Sequence, residues 1–255
     1  MYCTKMLTLQ KKVLLPSTLS YIMEHQYIIT NNINVSIRPQ FRQFCDNAVH
    51  VKNMTRNLSK VVKHKGLFSK VVNRFELFKN KYKLMALGYL RYENVVDQLN
   101  YSAFYKDYNM PDTFFSWYLV TELHVWMLMV RFMGEGEEGK LVRNNLAEAM
   151  WQDVDGRMSK LAVIRPKIKK KQIIELSSQF NAALIGYDEG ILSDDKVLAS
   201  ALWSRFFGLE CNNPEHIESL VIYVRKQINL LDTIPSQEIF TYSTKLEWID
   251  LRSVR

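Results

Sequence analysis

The chain has 255 residues, of which 47% are hydrophobic and 12% aromatic, with only nine glycines and six prolines. That is enough apolar material for one buried core with an appended segment, and too little turn chemistry for a loop-rich β-sandwich. The net charge of +8 is confined to residues 1–65, where ten Lys or Arg face only Glu24 and Asp46; the remainder carries 24 bases and 24 acids, so the neutral body does not have the basic footprint of a nucleic-acid-binding domain.

Residues 1–65 are basic, poor in acids and rich in Ser, Thr and Asn. This composition predicts a disordered or loosely packed segment of the mitochondrial-targeting type. The run VLLPSTLSYIM, broken by Pro16 and two serines, does not fit a secretory signal. The three cysteines, Cys3, Cys45 and Cys211, show no CxxC spacing, so neither a zinc framework nor a redox dithiol is expected.

From Phe68 the apolar period becomes helical. Phe68, Val71, Phe75, Phe78, Tyr82, Met85 and Tyr89 recur every three or four residues, on one face. A tyrosine-rich stretch, LNYSAFYKDYNM, leads to Pro111 and to Asp112, the expected N-cap of the next helix. That helix, residues 114–133, is apolar nearly all round and long enough to span a bilayer. Glu122, His124 and Arg131 interrupt it, however, and each charge at a bilayer centre costs about 2.5–3.5 kcal/mol. It reads instead as a central core helix, and no transmembrane segment is expected.

GEGEEGK at 134–140 reads as a connecting loop. It matches GxGxxG literally, but it follows a helix, not a strand, and three glutamates would repel phosphates. A third helix carries Val142, Leu146, Met150, Val154, Met158 and Leu161. The basic run RPKIKKK, residues 165–171, opens a fourth, with Ile173, Leu176, Phe180, Leu184 and Tyr187 along it. DEGILS reads as a loop, with Ser193 capping a fifth helix lined by Leu198, Leu202 and Phe206. Asn213 as cap and Pro214 at the first turn open the last long helix, striped by Ile217, Leu220, Val221, Val224, Ile228 and Leu231. Beyond Ser236 the chain reads as loop or short strand. The expected fold is all-α: one domain of about six helices over residues 66–235, with a tail at 236–255.

Few residues offer chemistry. Asp188, Glu189, Asp194 and Asp195 miss the register of a calcium loop and suit a helix start. His124 has no carboxylate at i±4, where Val120 and Leu128 stand, and reads as a core or interface histidine hydrogen-bonded to a neighbour. No catalytic, cofactor or metal site is expected. Lys167, Lys169, Lys170 and Lys171 are candidate contacts for anionic lipid or ribosomal RNA, or else simply a solvated helix start.

Three stretches carry a family resemblance: NMPDTFFSWYLVTELHVWMLMVRF (109–132), AMWQDVDGRM (149–158) and AALIGYDEGILSDDKVLASALWSRFF (182–207). They are similar to the ubiquinol–cytochrome c chaperone family, over about residues 81–232. The resemblance implies an assembly factor for the mitochondrial bc1 complex, not an enzyme. It implies action on newly made cytochrome b with a small helical partner factor, on the matrix side of the inner membrane with peripheral membrane contact, and in some lineages near the mitochondrial ribosome. It transfers no catalytic residues. Trp117, His124, Trp126, Asp188, Glu189 and Gly190 fall in its motifs and either touch client or partner or hold the fold. A helical carrier of haem, quinone or lipid is the alternative, and an enzyme of unrecognised type a third.

Overall fold

A computed structural model describes residues 68–161, 166–211 and 213–254. The expectations for residues 1–65, and for Arg165 of the basic run, lie outside these. The fold is all-α, with no strand among the described residues. Among the described residues six principal helices are α1 (Phe68–Gln98), α3 (Phe114–Met133), α4 (Gly136–Leu161), α5 (Pro166–Leu192), α6 (Asp195–Phe206) and α7 (Pro214–Asp232). Two short ones, α2 (Tyr101–Asp107) and α8 (Ser236–Ile239), and a closing 3₁₀ turn, Leu251–Val254, complete the order.

The core is built on α3. Residues Ser116 to Met129 of this helix are all buried, because α1, α2, α4, α6 and α7 pack around it. This satisfies an all-round apolar helix without a membrane, and no helix among the described residues is long and apolar enough to cross one. The stripes expected on α4, α6 and α7 supply the facing surfaces: Val142, Leu146, Met150, Val154 and Met158; Leu198, Leu202 and Phe206; Leu220, Val221, Val224 and Leu231 are all buried. Two close approaches depend on glycine. A Cβ on Gly88 of α1 would meet Asn145 Cβ and Val142 O of α4 at 2.7 Å, and one on Gly190 of α5 would meet Leu198 Cα of α6 at 2.7 Å.

Several local expectations are corrected. Over residues 80–98 of α1 the buried positions are Leu87, Gly88, Arg91, Tyr92 and Val95, whereas Tyr82 is exposed and Met85 and Tyr89 are half-buried. A glycine and an arginine on the core side hide this buried face from an apolar count. The expected stripe positions Phe68, Val71, Phe75 and Phe78 lie outside the residues whose burial is described. Thr113, not Asp112, caps α3, its hydroxyl accepting from Ser116 N at 3.3 Å. Asp194, not Ser193, caps α6, accepting from Val197 N at 3.1 Å. GEGEEGK is not a loop: only Gly134 and Glu135 turn, and Glu137 and Glu138 sit in the first turn of α4, where the helix dipole favours acids. DEGILS is likewise helical through Leu192, since Gly190 and Asp188 are inward-facing positions of α5. The tyrosine-rich stretch forms α2, capped by the Asn100 side chain on Ala103 N. Asn213 and Pro214 open α7 as read.

The segment after Ser236 is neither strand nor free loop. Ile239, Leu246 and Leu251 are buried, and the chain from Phe240 to Asp250 runs without helix across the body.

Candidate functional site

The candidate residues do not converge on one site. Trp117 and Trp126 are nine positions apart on α3, about 13.5 Å along its axis at 1.5 Å per residue. The buried ones are instead built into contacts with different neighbours of α3.

Trp126 and Asp188 meet. The indole Nε1 donates to Asp188 Oδ1 at 2.8 Å, and its ring packs 4.9 Å from Tyr187. Burial pushes the Asp188 carboxyl up to about 6, against the opposing pull of the Trp126 hydrogen bond and of Arg143. Two motif stretches therefore lock α5 onto α3. Glu189, next in sequence, is exposed and takes no part.

His124 is closed on both nitrogens. Nδ1 lies 2.6 Å from Val120 O, and Nε2 lies 2.7 Å from the Tyr223 hydroxyl on α7. A carbonyl only accepts, so Nδ1 carries the proton and Nε2 accepts from the tyrosine. Phe104 and Trp248 meet the ring edge-on at 5.3 and 5.0 Å. Burial holds the imidazole down at about 4, so it is neutral at physiological pH. This is the hydrogen-bonded core histidine expected from sequence.

Trp117 is buried near the start of α3, with the Arg157 guanidinium of α4 stacked 4.0 Å above its ring. Arg157 also forms an ion pair with Asp153, whose carboxylate accepts from the Tyr92 hydroxyl at 2.7 Å. This cluster joins α1, α3 and α4.

The strongest polar feature was not singled out from sequence. Glu122, fully buried on α3, takes two bonds from Arg205 of α6: Nε to Oε1 at 2.7 Å and Nη2 to Oε2 at 2.6 Å. Arg205 Nη1 also donates to Gln179 Oε1 at 3.0 Å, which brings in α5. Burial raises the Glu122 carboxyl despite Arg205, and burial beside that carboxylate holds the Tyr118 and Tyr187 hydroxyls far above the usual tyrosine range. The signal was present: an acid inside an otherwise apolar, buried helix requires a cation partner.

Of the basic run, Lys167, Lys170 and Lys171 are exposed at the start of α5. Lys169 is committed elsewhere, bonded to Asp155 Oδ1 and Ser159 Oγ of α4, both at 2.6 Å. No group of three or more His, Cys, Asp or Glu that would hold a metal occurs among the described residues.

Comparison with known proteins agrees with this architecture. Residues 106–248 match the family model described as ubiquinol-cytochrome C chaperone. A Drosophila melanogaster protein, ubiquinol-cytochrome c reductase complex assembly factor 1, is 48% identical over 191 residues, covering 73% of this chain and 73% of that protein. Its Homo sapiens namesake is 41% identical over 178 residues, covering 68% of this chain and 59% of that protein. The Saccharomyces cerevisiae protein CBP3, mitochondrial, is 30% identical over 163 residues, covering 63% of this chain and 49% of that protein. In fold, the chain is similar to the crystal structure of the Cbp3 homolog from Brucella abortus, with a TM-score of 0.60, 22% identity, and coverage of 71% of this chain and 99% of that one. The matched segment takes in α3, the Trp126–Asp188 lock and the Glu122–Arg205 pair, and the chain belongs to the ubiquinol–cytochrome c chaperone family.

Proposed function

We propose that this protein is a mitochondrial assembly factor for ubiquinol–cytochrome c reductase, acting on the matrix side of the inner membrane. It holds newly made cytochrome b while that subunit lacks its final partners, in company with a small helical partner factor. The observation that carries the reading is the family match over residues 106–248, with relatives named as assembly factors of that complex. Chaperoning by non-covalent contact fits the interior. The side chains with acid–base chemistry on α3 are spent on the fold: His124 on Val120 and Tyr223, Glu122 on Arg205. As a haem ligand His124 would need a free imidazole nitrogen, and both are engaged.

An unassembled membrane subunit presents apolar surface and unpaired polar groups, and is therefore prone to aggregate. Large apolar side chains stand exposed on several helices here, among them Phe115, Ile168, Ile174 and Trp203. Trp117, His124, Trp126 and Asp188 are proposed to support that surface from within; Glu189 is the exposed member of the set. Lys167, Lys170 and Lys171 are proposed to meet anionic lipid or the mitochondrial ribosome, with Lys169 holding their helix in place. Deleting the protein is expected to deplete cytochrome b and the bc1 complex while other respiratory complexes persist. Intact cytochrome b levels in the deletion strain, measured by spectrum and immunoblot, would rule the reading out.

A further inference from the structure

The last stretch of chain is held in an unusual manner. Between Phe240 and Asp250 it forms no helix, and it makes local turn bonds such as Thr241 N to Glu238 O and Thr244 N to Thr241 O. The body grips it through side chains that read its backbone. Arg91 of α1, fully buried, gives Nη1 to Thr244 O at 2.6 Å and Nη2 to Ile239 O and Thr241 O at 2.9 and 2.8 Å. Gln227 of α7, also fully buried, donates to Glu247 O at 3.0 Å and accepts from Ile249 N at 2.9 Å. A carbonyl and the amide two residues later are what a neighbouring strand would satisfy in an extended peptide. Side chains add a pattern. Leu246 is buried, Trp248 lies on His124 and donates to Asn94 Oδ1 at 3.3 Å, Leu251 is buried, and Arg252 stands 3.9 Å from Asp107.

Backbone-directed bonds do not depend on which side chains the bound segment carries. Any segment with an apolar residue, an aromatic two positions on in a non-helical stretch, and then a 3₁₀ turn opening on an apolar residue and a cation makes the same set. Arg91 ties the near end, at 239–244, so the part beyond Thr244 is able to leave without releasing α8. We propose that the cleft between α1, α3 and α7 is a peptide site, closed in this structure by the chain's own non-helical residues 245–250 and the 3₁₀ turn that follows them, and exchangeable for a segment of another chain with that pattern. This assignment stands apart from the identity of any client.

The test uses the full chain and a labelled synthetic peptide of residues 241–254. In the double variant Leu246→Ala, Trp248→Ala the internal occupant is weakened, and the peptide is expected to bind at least tenfold tighter than to the unaltered protein. Adding Gln227→Met should return binding to the unaltered level, and a peptide with alanine at both anchor positions should not bind. Equal binding by opened and unaltered protein, or binding indifferent to Gln227, overturns the proposal. So does a concentration-dependent dimer of the opened variant that excess peptide fails to dissolve, since a second copy would then fill the cleft. If the double variant does not fold, hydrogen exchange on the unaltered chain decides. The Ile249 amide should exchange at least a hundredfold faster than the amides of α3; equal rates would mean that the segment opens only with the whole molecule, which refutes exchange.

Discussion

The two sides of α3 solve one problem in different ways. Toward α5 and α6, buried polar side chains pair with each other: Glu122 with Arg205, Trp126 with Asp188. Toward α7 and the C-terminal segment, one such pair, His124 with Tyr223, stands beside a larger set of buried polar side chains that pair with main chain: Arg91 with three carbonyls, Gln227 with a carbonyl and an amide, Arg131 with Leu231 O and Ile234 O. Side-chain pairs of fixed geometry set the register of one helix on another, because both partners must arrive together. Main-chain recognition holds a segment that has no apolar period of its own. The first side is therefore expected to be costly to disturb and global in its effects, the second local.

The largest effect should come from breaking the ion pair. Arg205→Ala leaves the Glu122 carboxylate buried without its cation, which typically costs about 3–5 kcal/mol. The urea midpoint should fall with the slope unchanged, as for a loss of stability in a two-state unit. Replacing both partners by methionine should recover much of that loss, since a buried pair exchanged for apolar groups of similar volume is often neutral. A double variant as unstable as the single one would show that Glu122 and Arg205 serve something other than each other.

The next effect is in pH, and it sets the two sides against one another. His124 is held down at about 4, so between its unfolded value near 6.5 and about 4 the unfolded chain takes up a proton that the fold refuses. Stability contributed by neutral His124 is thus lost as pH falls through this window. Asp188 is held up at about 6, so between about 6 and its unfolded value near 3.9 the fold takes up a proton that the unfolded chain does not, and stability is gained. Each amounts to roughly 3 kcal/mol at 1.36 kcal/mol per unit, and they oppose. Glu122, raised by burial, adds in the sense of Asp188. The unaltered protein should therefore show little slope between pH 6.5 and 4. Asp188→Asn keeps an oxygen for Trp126 and removes the titration. It should be more stable than the unaltered protein at pH 7.5, equal at pH 4, and steeply acid-sensitive between. Parallel curves for the two proteins would break the comparison.

The sequence carried the helices wherever one face was purely apolar. α4, α6 and α7 lie where their stripes put them, and α3 was identified as the central helix from its uniform hydrophobicity. It misled where the buried face held small or charged residues. Gly88 and Arg91 concealed the inner side of α1, and Asp188 and Gly190 made the end of α5 look like a loop. Cap positions slipped by one residue at Asp112 and Ser193 because neighbouring polar residues have equal propensity, and only backbone geometry chooses between them. The tail was illegible for a deeper reason: its order comes from Arg91 and Gln227, more than a hundred residues and about twenty residues away in the chain. The His124 environment was foreseen in kind, but its partners Tyr223 and Trp248 are tertiary facts.

A milder effect tests the close contact of α5 with α6. Gly190→Ala places a methyl 2.7 Å from Leu198 Cα, which is backbone and cannot swing aside. Forced overpacking of this kind costs about 1–3 kcal/mol. Gly156, in α4, has nothing within 4 Å of an added Cβ. Its alanine variant should stabilise by about 0.5–1 kcal/mol, through helix propensity alone. Thermal unfolding of both variants distinguishes a glycine required by packing from one merely tolerated, and a stable Gly190→Ala protein would show that the α5–α6 contact is not tight.

The smallest effect belongs to the basic run, and it is the one that separates structure from docking. Lys169 bonds Asp155 and Ser159 at the surface, where such pairs contribute about 0–1 kcal/mol. Lys167, Lys170 and Lys171 are exposed, and surface changes of this kind stay within about 0.5 kcal/mol. Replacing these three by alanine should therefore leave the unfolding midpoint unchanged, while Lys169→Ala lowers it slightly. Binding should respond in the opposite order. Attraction to anionic lipid or ribosomal RNA acts through the exposed charges and is screened over roughly 10 Å at 0.1 M salt. The triple variant should lose most of the salt-sensitive association with anionic vesicles or mitochondrial ribosomes, whereas Lys169→Ala should retain most of it. Equal association by triple variant and unaltered protein across salt would make the run a solvated helix start, with Lys169 alone contributing to the fold.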